Sequence, residues 1–269
     1  MGHGWYIATM NIQNDDADPG GSTPMAQAVV TRPIKRKLPF PVELYRSAVG
    51  KKYAMAVSGL FLILFVVGHT LGNLKLYLGK TATGAYHVDE YGEFLRRLAE
   101  PILPHTVALW IIRVVLTGAF VLHMHAAYSL TMMNRRARTV TYQRKSDYQA
   151  ANFASRSMRW TGIIVILFLI FHLLDITWGK SGASWTRGAV FSNVDNSLSR
   201  WPIAIFYVLA NLALGVHLYH GAWSFFQSLG WNNPRFNAWR RKFAVGLAGL
   251  IVLGNISFPI AFVTGLVGR

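Results

Sequence analysis

Five long apolar runs, separated by shorter polar and basic segments, dominate the pattern of hydrophobic and polar positions along the chain. Each run is close to the length of about 20 residues that an α-helix needs to cross the hydrocarbon core of a bilayer. They predict spans at 53–77, 105–133, 157–178, 200–229 and 243–267. The expected fold class is therefore all-α, a polytopic membrane protein with five transmembrane helices in residues 41–269.

The segments outside these runs predict smaller elements. Residues 1–40 join a polar start to a basic, proline-containing stretch, so we expect a flexible basic arm that leads into an interfacial turn of helix. No apolar core follows a basic start, and no signal peptide is predicted. Residues 81–104 predict a short surface helix, and the Gly/Ser-rich segment 179–199 predicts a loop with room for another.

Composition and charge agree with a membrane protein. Hydrophobic residues make up 52% of the chain and charged residues only 14%, which is atypical of a soluble domain. The net charge of +16 does not predict a nucleic-acid partner, because the basic residues cluster at the ends of the spans, where they set topology and attract anionic lipid. The basic segments 32–52, 135–145, 156–159 and 235–242 all fall on one side. The positive-inside rule therefore predicts a cytoplasmic N terminus and an external C terminus.

The chain contains no cysteine. It cannot form a disulfide, provide thiolates for an iron–sulfur cluster or attach a c-type haem covalently.

Four apolar runs each hold a histidine at depth: His69, His123, His172 and His217. An ionisable side chain is costly inside a membrane and usually faces the interior of the bundle or a cofactor. Counting residues along each helix places His69 and His172 about 9–12 Å from the outer end, and His123 and His217 about 24–27 Å from it. The four thus form two layers roughly 15 Å apart, each with residues from two helices.

Paired imidazoles on facing helices fit two bis-histidine haems, since neutral imidazole is a strong axial ligand of haem iron. A proton relay and ordinary interhelical hydrogen bonding are the alternatives at this stage. His125 and His220 compete with His123 and His217 as ligands. His125 lies about 200° around the helix from His123, so both cannot face one haem.

Five stretches together resemble one known family. They are SGLFLILFVVGHTLGNLKLYLG, DEYGEFLRRLAEPILPH, LWIIRVVLTGAFVLHMHAAYSL, FASRSMRWTGIIVILFLIFHLLDITWG and SRWPIAIFYVLANLALGVHLYHGAWSFFQSLGW, and they cover most of residues 55–231. The family is the five-helix, dihaem cytochrome b membrane anchor of succinate dehydrogenase (respiratory complex II), of the actinobacterial kind. The resemblance implies a four-helix core that binds two b haems.

By the same resemblance, His69 and His172 would hold the outer haem, and His123 and His217 the haem nearer the cytoplasm. The doubled histidine in HMH leaves His125 open as the ligand of the second span, and His220 is the alternative on the fourth. Electrons from succinate would arrive from flavoprotein and iron–sulfur subunits docked on the cytoplasmic face of a bacterial plasma membrane. The chain itself would do no chemistry on succinate and would pass the electrons to a membrane quinone, expected to be menaquinone.

Other polar residues have candidate roles at this stage. Arg113 is a candidate partner for a haem propionate, because a charge that deep in a span needs one. Quinone reduction needs a proton donor near the outer haem, and the candidates are Glu90, Glu93, Glu100 and His105. Lys75 and Asp175 are expected to be boundary residues that close the outer ends of their spans.

Two alternative functions remain at the level of sequence. In the first, histidines of this anchor hold a Rieske-type cluster together with two cysteines of a partner subunit. In the second, the chain is a transporter with a histidine proton relay, although the sequence lacks the broken helices and inverted repeats typical of that class.

Overall fold

A computed structural model describes residues 39–137, 153–231 and 233–268. The predicted basic arm at 1–40 lies outside the described residues except for its last two positions. Most of the basic segment 135–145 lies outside them as well.

Eight α-helices account for nearly all of the described residues. They are α1 Phe40–Arg46, α2 Ala48–Asn73, α3 His87–Arg96, α4 Val107–Arg136, α5 Phe153–His172, α6 Val190–Leu198, α7 Trp201–Ser228 and α8 Pro234–Val263. A 3₁₀ turn, Leu74–Leu78, extends α2, and a π-helical turn, Leu173–Thr177, extends α5. The described residues contain no β-strand, only an isolated bridge between Lys80 and Tyr86.

Helices α2, α4, α5, α7 and α8 are long and apolar enough to cross a membrane. The predicted fold class, an all-α polytopic membrane protein with five spans, is confirmed. The short helices predicted before the first span and within 81–104 and 179–199 are also present, as α1, α3 and α6.

The start of the fifth span differs from its prediction. Helix α8 begins at Pro234, nine residues before the predicted start at 243, so the basic stretch that we expected to be a loop is helical. Proline is favoured in the first turn of a helix, and the Asn233 side chain caps α8 by accepting a hydrogen bond from the Arg235 amide at 2.9 Å. These local signals start the helix before its apolar part begins.

The spans pack in two antiparallel pairs, α2 with α4 and α5 with α7. Helix α8 packs along α7 and also touches α2, while α2 contacts α7 and so joins the two pairs. Within the described residues, α2 and α5 share no extended packing, and neither do α4 and α7. The two pairs therefore meet through α2 and α7, while the backbones of α2 and α5, and of α4 and α7, stay apart.

The two pairs are copies of one motif. Residues 55–69 of α2 and 158–172 of α5 are aligned without a gap, 103 positions apart, with six of fifteen residues identical. The short helices keep this offset, because α3 begins at His87 and α6 at Val190. Each copy contains two spans, so the second copy has the same orientation as the first, and the repeat is parallel.

Charge is distributed unequally between the two ends of the bundle. One end carries the short helices α3 and α6, and we call it the α3/α6 end; the other, which carries α1 and the start of α8, we call the basic end. Among the described acidic residues, Glu43 alone belongs to the basic end. The remaining ones belong to the α3/α6 end: Asp89, Glu90, Glu93, Glu100, Asp175 and Asp195.

Close packing of α7 on α8 depends on Gly215. A Cβ atom at this position would overlap the Cγ2 atom of Val252 on α8. We expect Gly215→Val to destabilise the protein by about 1–3 kcal/mol, the usual cost of overpacking, and to lower the thermal unfolding temperature in detergent. Gly249→Val is the matched control, since a Cβ at Gly249 meets nothing within 4 Å. Equal unfolding temperatures for the two variants would contradict this packing.

Candidate cofactor site

Two histidine pairs lie between the two copies of the repeat. At the α3/α6 end, the rings of His69 on α2 and His172 on α5 have centroids 5.9 Å apart and planes at 82°. Toward the basic end, the rings of His123 on α4 and His217 on α7 have centroids 6.4 Å apart and planes at 64°. Each pair therefore takes one imidazole from each copy. The pairing by depth that the sequence suggested is the pairing seen in the structure.

Equivalent residues support the histidines nearer the basic end. The Nδ1 atom of His123 lies 3.3 Å from the Ser58 hydroxyl and 3.2 Å from the Met55 carbonyl oxygen. In the other copy, Nδ1 of His217 lies 3.4 Å from the Thr161 hydroxyl.

Glycines face the histidine rings at equivalent positions of the repeat. A Cβ atom at Gly59 would crowd Cε1 of His123 at 3.3 Å, whereas one at Gly162 would be in ordinary contact with Cε1 of His217 at 3.6 Å. Because Nδ1 is engaged by the packed neighbour in each case, Nε2 is the nitrogen available to a ligand. Histidines that bind a metal through one ring nitrogen usually form a hydrogen bond with the other.

The separation of the two pairs can be measured along three helices. Gly59, beside His123, is ten residues from His69, and Gly162, beside His217, is ten residues from His172. Tyr207, beside His172, is ten residues from His217 on α7. At a helical rise of 1.5 Å per residue each interval is about 15 Å. This agrees with the two layers expected from the sequence.

His125 and His220 lie outside both pairs. The Nδ1 atom of His125 is 2.5 Å from the Tyr45 hydroxyl, so His125 holds the interfacial helix α1 against α4. Its ring also stacks on Tyr45, with centroids 5.8 Å apart. His220 lies beside Trp223, with centroids 6.1 Å apart. His123, and not His125, therefore faces the opposite copy from α4. His217, and not His220, faces it from α7.

The acidic candidates for a quinone site are distributed over the surface of the α3/α6 end. Glu93 forms ion pairs with Arg96 and Arg97 at 3.0 and 3.1 Å, and hydrogen bonds from these two side chains lower the pKa of its carboxyl. Glu90 accepts hydrogen bonds from the hydroxyls of Thr81 and Thr83. The structure does not bring these two carboxylates together.

His105 and Glu100 are the two candidates that do meet, with His105 Nδ1 lying 3.2 Å from Glu100 Oε1. Both side chains are exposed. Arg113, the proposed propionate partner, is also exposed and lies over the Trp110 ring at 5.0 Å.

Asp175 is the polar residue that sequence reasoning missed. We expected it to be a boundary residue, but its side chain is fully buried. It is hydrogen-bonded by the Ser181 hydroxyl, by the Ser197 hydroxyl at 2.5 Å and by the Tyr207 hydroxyl at 2.8 Å. Its position three residues after His172, within an apolar stretch, was the signal available in the sequence. The structure forms a π-helical turn here, and such turns are frequent at functional sites.

The geometry of the pairs can be tested against a haem. Two imidazoles that bind one metal from opposite sides, with metal–nitrogen bonds of about 2 Å, have ring centroids roughly 6 Å apart. The observed separations are 5.9 and 6.4 Å. Each pair also spans two helices whose backbones do not pack against each other, α2 with α5 and α4 with α7. A flat group between the rings would therefore meet no close helix–helix contact.

The number of possible ligand side chains also bears on whether the pairs fit a haem or a bare metal ion. Within the described residues, no group of three or more His, Cys, Asp or Glu side chains is arranged to hold a metal ion. Two imidazoles are too few to hold a bare ion firmly, but they would be enough to hold a haem, whose macrocycle brings its own nitrogen ligands. The residues present thus fit two haems.

Residues 133–256 match the family described as succinate dehydrogenase/fumarate reductase transmembrane subunit. The match supports a place for this chain in that family. It covers a little less than half of the sequence, from the end of α4 to most of α8, and includes His172 and His217. Searches of the curated proteins and of the solved structures found no significant match.

The contact between Tyr45 and His125 can be tested separately from the paired histidines. We expect Tyr45→Phe to loosen α1, because it removes a hydrogen bond worth about 1 kcal/mol. Amide hydrogen exchange across Phe40–Arg46 should then become roughly fivefold faster. Tyr53→Phe, at an exposed tyrosine of α2, is the control. Unchanged exchange in α1 would show that His125 does not hold this helix.

Proposed function

We propose that this chain is the membrane anchor of a succinate dehydrogenase or fumarate reductase and carries electrons through two b haems to a membrane quinone. The observation that carries the proposal is the presence of two cross-copy histidine pairs, 5.9 and 6.4 Å apart, in a chain that matches this family. The chain would do no chemistry on succinate, which belongs to separate subunits.

His69 and His172 would hold one haem, and His123 and His217 the other. When bound, the haems supply reversible one-electron chemistry. The protein's part is to present Nε2 of each imidazole to the iron and to hold the rings in place. Phe65 and Phe168, at equivalent positions of the repeat, lie against His69 and His172 with ring centroids 5.4 and 5.7 Å apart.

The charge pattern supports the expected arrangement of partners. Flavoprotein and iron–sulfur subunits would dock at the basic end, which would face the cytoplasm of a bacterium. Arginines at this end include Arg135, Arg136 and Arg241, all of which suit an acidic partner or anionic lipid headgroups. The N terminus would then be cytoplasmic and the C terminus external, since the number of spans is odd.

Quinone reduction would take place at the α3/α6 end, near His69 and His172. Menaquinone is the substrate that we propose, on the resemblance to dihaem anchors. The exposed pair of His105 and Glu100 is the better placed of the proton-donor candidates, because neither side chain is held by an arginine in the structure. Glu93, by contrast, is tied to Arg96 and Arg97.

The haem ligands can be tested by single substitutions in the assembled complex. We expect His172→Ala and His217→Ala each to remove one of two b-type haems, because each substitution removes one of the two imidazoles that would hold that haem. Haem is counted from the reduced-minus-oxidised visible spectrum and the pyridine haemochrome. His125→Ala is the matched control and should retain both haems.

Several outcomes of that experiment would count against the proposal. Wild-type complex without haem would refute it, and a broad iron–sulfur signal in its place would favour a Rieske-type cluster shared with a partner. A protein with neither signal would favour the transporter. Retention of both haems in His172→Ala and His217→Ala would refute the ligand assignment alone.

The proposed topology can be tested with single cysteines, since the chain has none of its own. Thr83 is exposed at the α3/α6 end, and Ala137 is exposed where α4 ends at the basic end. We expect a membrane-impermeant maleimide to label Thr83→Cys in intact bacterial cells. Ala137→Cys should be labelled only after the membrane is permeabilised. The reverse pattern would invert the topology.

A further inference from the structure

A buried carboxylate lies next to the histidine pair at the α3/α6 end. The Asp175 side chain has no solvent exposure and receives hydrogen bonds from the hydroxyls of Ser181, Ser197 and Tyr207. The Arg200 guanidinium lies 3.5 Å from Asp175 Oδ1, the oxygen that also accepts from Ser181. Three hydroxyls and one guanidinium thus surround the carboxyl group of Asp175, and all four act as donors to it. So many donors around one fully buried side chain are more than a residue at the boundary of a span requires.

Tyr207 connects this carboxylate to His172. Its hydroxyl donates to Asp175 Oδ2 at 2.8 Å and lies 3.2 Å from Nδ1 of His172. A tyrosine hydroxyl has one proton, and here the proton is given to the carboxylate. The oxygen of Tyr207 can therefore only accept from His172, so Nδ1 must carry the proton. The free electron pair of His172 is then on Nε2, the nitrogen that would face a metal.

The arrangement is found in one copy of the repeat only. The position equivalent to Asp175 is Gly72, and a Cβ atom there would meet the ring of Tyr91. The histidines of the other pair, His123 and His217, are supported by Ser58, Thr161 and the Met55 carbonyl group, all of which are neutral. Among the four paired imidazoles, His172 is thus the one coupled through a hydroxyl to a carboxylate.

We propose that Asp175, acting through Tyr207, is a positioning residue that fixes the tautomer of His172 and lowers the midpoint potential of the haem at the α3/α6 end. A hydrogen bond from the distal ring nitrogen toward an anion makes imidazole a stronger electron donor, which stabilises ferric iron. The asymmetry between Asp175 and Gly72 then separates the potentials of two haems whose axial ligands are alike. This inference rests on the proposed function, since it requires haem at His172.

The test is an equilibrium redox titration of the haem spectra in the assembled complex. We expect Asp175→Asn to make the midpoint potential of one haem more positive, by a roughly tenfold change in its reduction equilibrium, or about 59 mV for one electron. The affected haem should be the one lost in His172→Ala. Tyr207→Phe should shift the same haem in the same direction, because it keeps the ring and removes only the hydroxyl link.

The control for loss of charge is Asp195→Asn. Asp195 is on α6, two residues before Ser197, and accepts a hydrogen bond from Ser199 at 2.7 Å. It is an acidic residue at the same end of the bundle, on a different helix from both Tyr207 and His172. We expect both haem potentials to be unchanged in this variant.

The outcomes separate the inference from the proposed function. A wild-type complex without haem would refute the function itself. Two haems in the wild type, with potentials unchanged in both Asp175→Asn and Tyr207→Phe, would overturn the inference and leave the function intact. Equal shifts of both haems would also overturn it, because they would reflect a general effect of charge. Loss of the α3/α6-end haem from both variants would overturn it as well, since the network would then be needed to hold the site.

Discussion

The arrangement of the site depends on how a histidine is accommodated inside an apolar span. An imidazole has two nitrogens, and in hydrocarbon neither can be satisfied by water. Toward the basic end, the packed neighbour provides for one of them: α2 supports His123 on α4, and α5 supports His217 on α7. The second nitrogen is left for the opposite copy. One ring nitrogen is thus bound by the packed neighbour and the other points toward the opposite copy. The paired histidines therefore face each other across helices that do not pack together.

Much of the fold could be predicted from the sequence, because the length and apolarity of the spans are set by the bilayer itself. All five spans were predicted from such runs, and three of the short helices from polar segments between them. The start of α8 was missed, since apolarity does not signal a helix whose first turns, from Pro234 onward, are basic. The local capping by Asn233 was the better guide there.

The site was only partly accessible from sequence. Residue counting gave the two layers, but it could not choose between His123 and His125, because α4 is apolar on all sides. The choice depends on three-dimensional neighbours: Ser58 meets His123, whereas Tyr45 meets His125. The internal repeat contains a signal for these neighbours. Ser58-Gly59 and Thr161-Gly162 precede His69 and His172 by the same interval. Asp175 was misjudged because its partners Ser197 and Tyr207 are on other helices.

The parallel repeat also bears on how such a molecule can originate. A single two-span unit that dimerised about an axis along the membrane normal would build both pairs from identical subunits, each giving one imidazole to each. In that homodimer every substitution would occur twice, and the two sides of a pair would stay the same. Gene duplication and fusion remove this restriction. One copy can then acquire a buried acid where the other keeps a glycine, and a fifth helix can follow the second copy without a counterpart after the first.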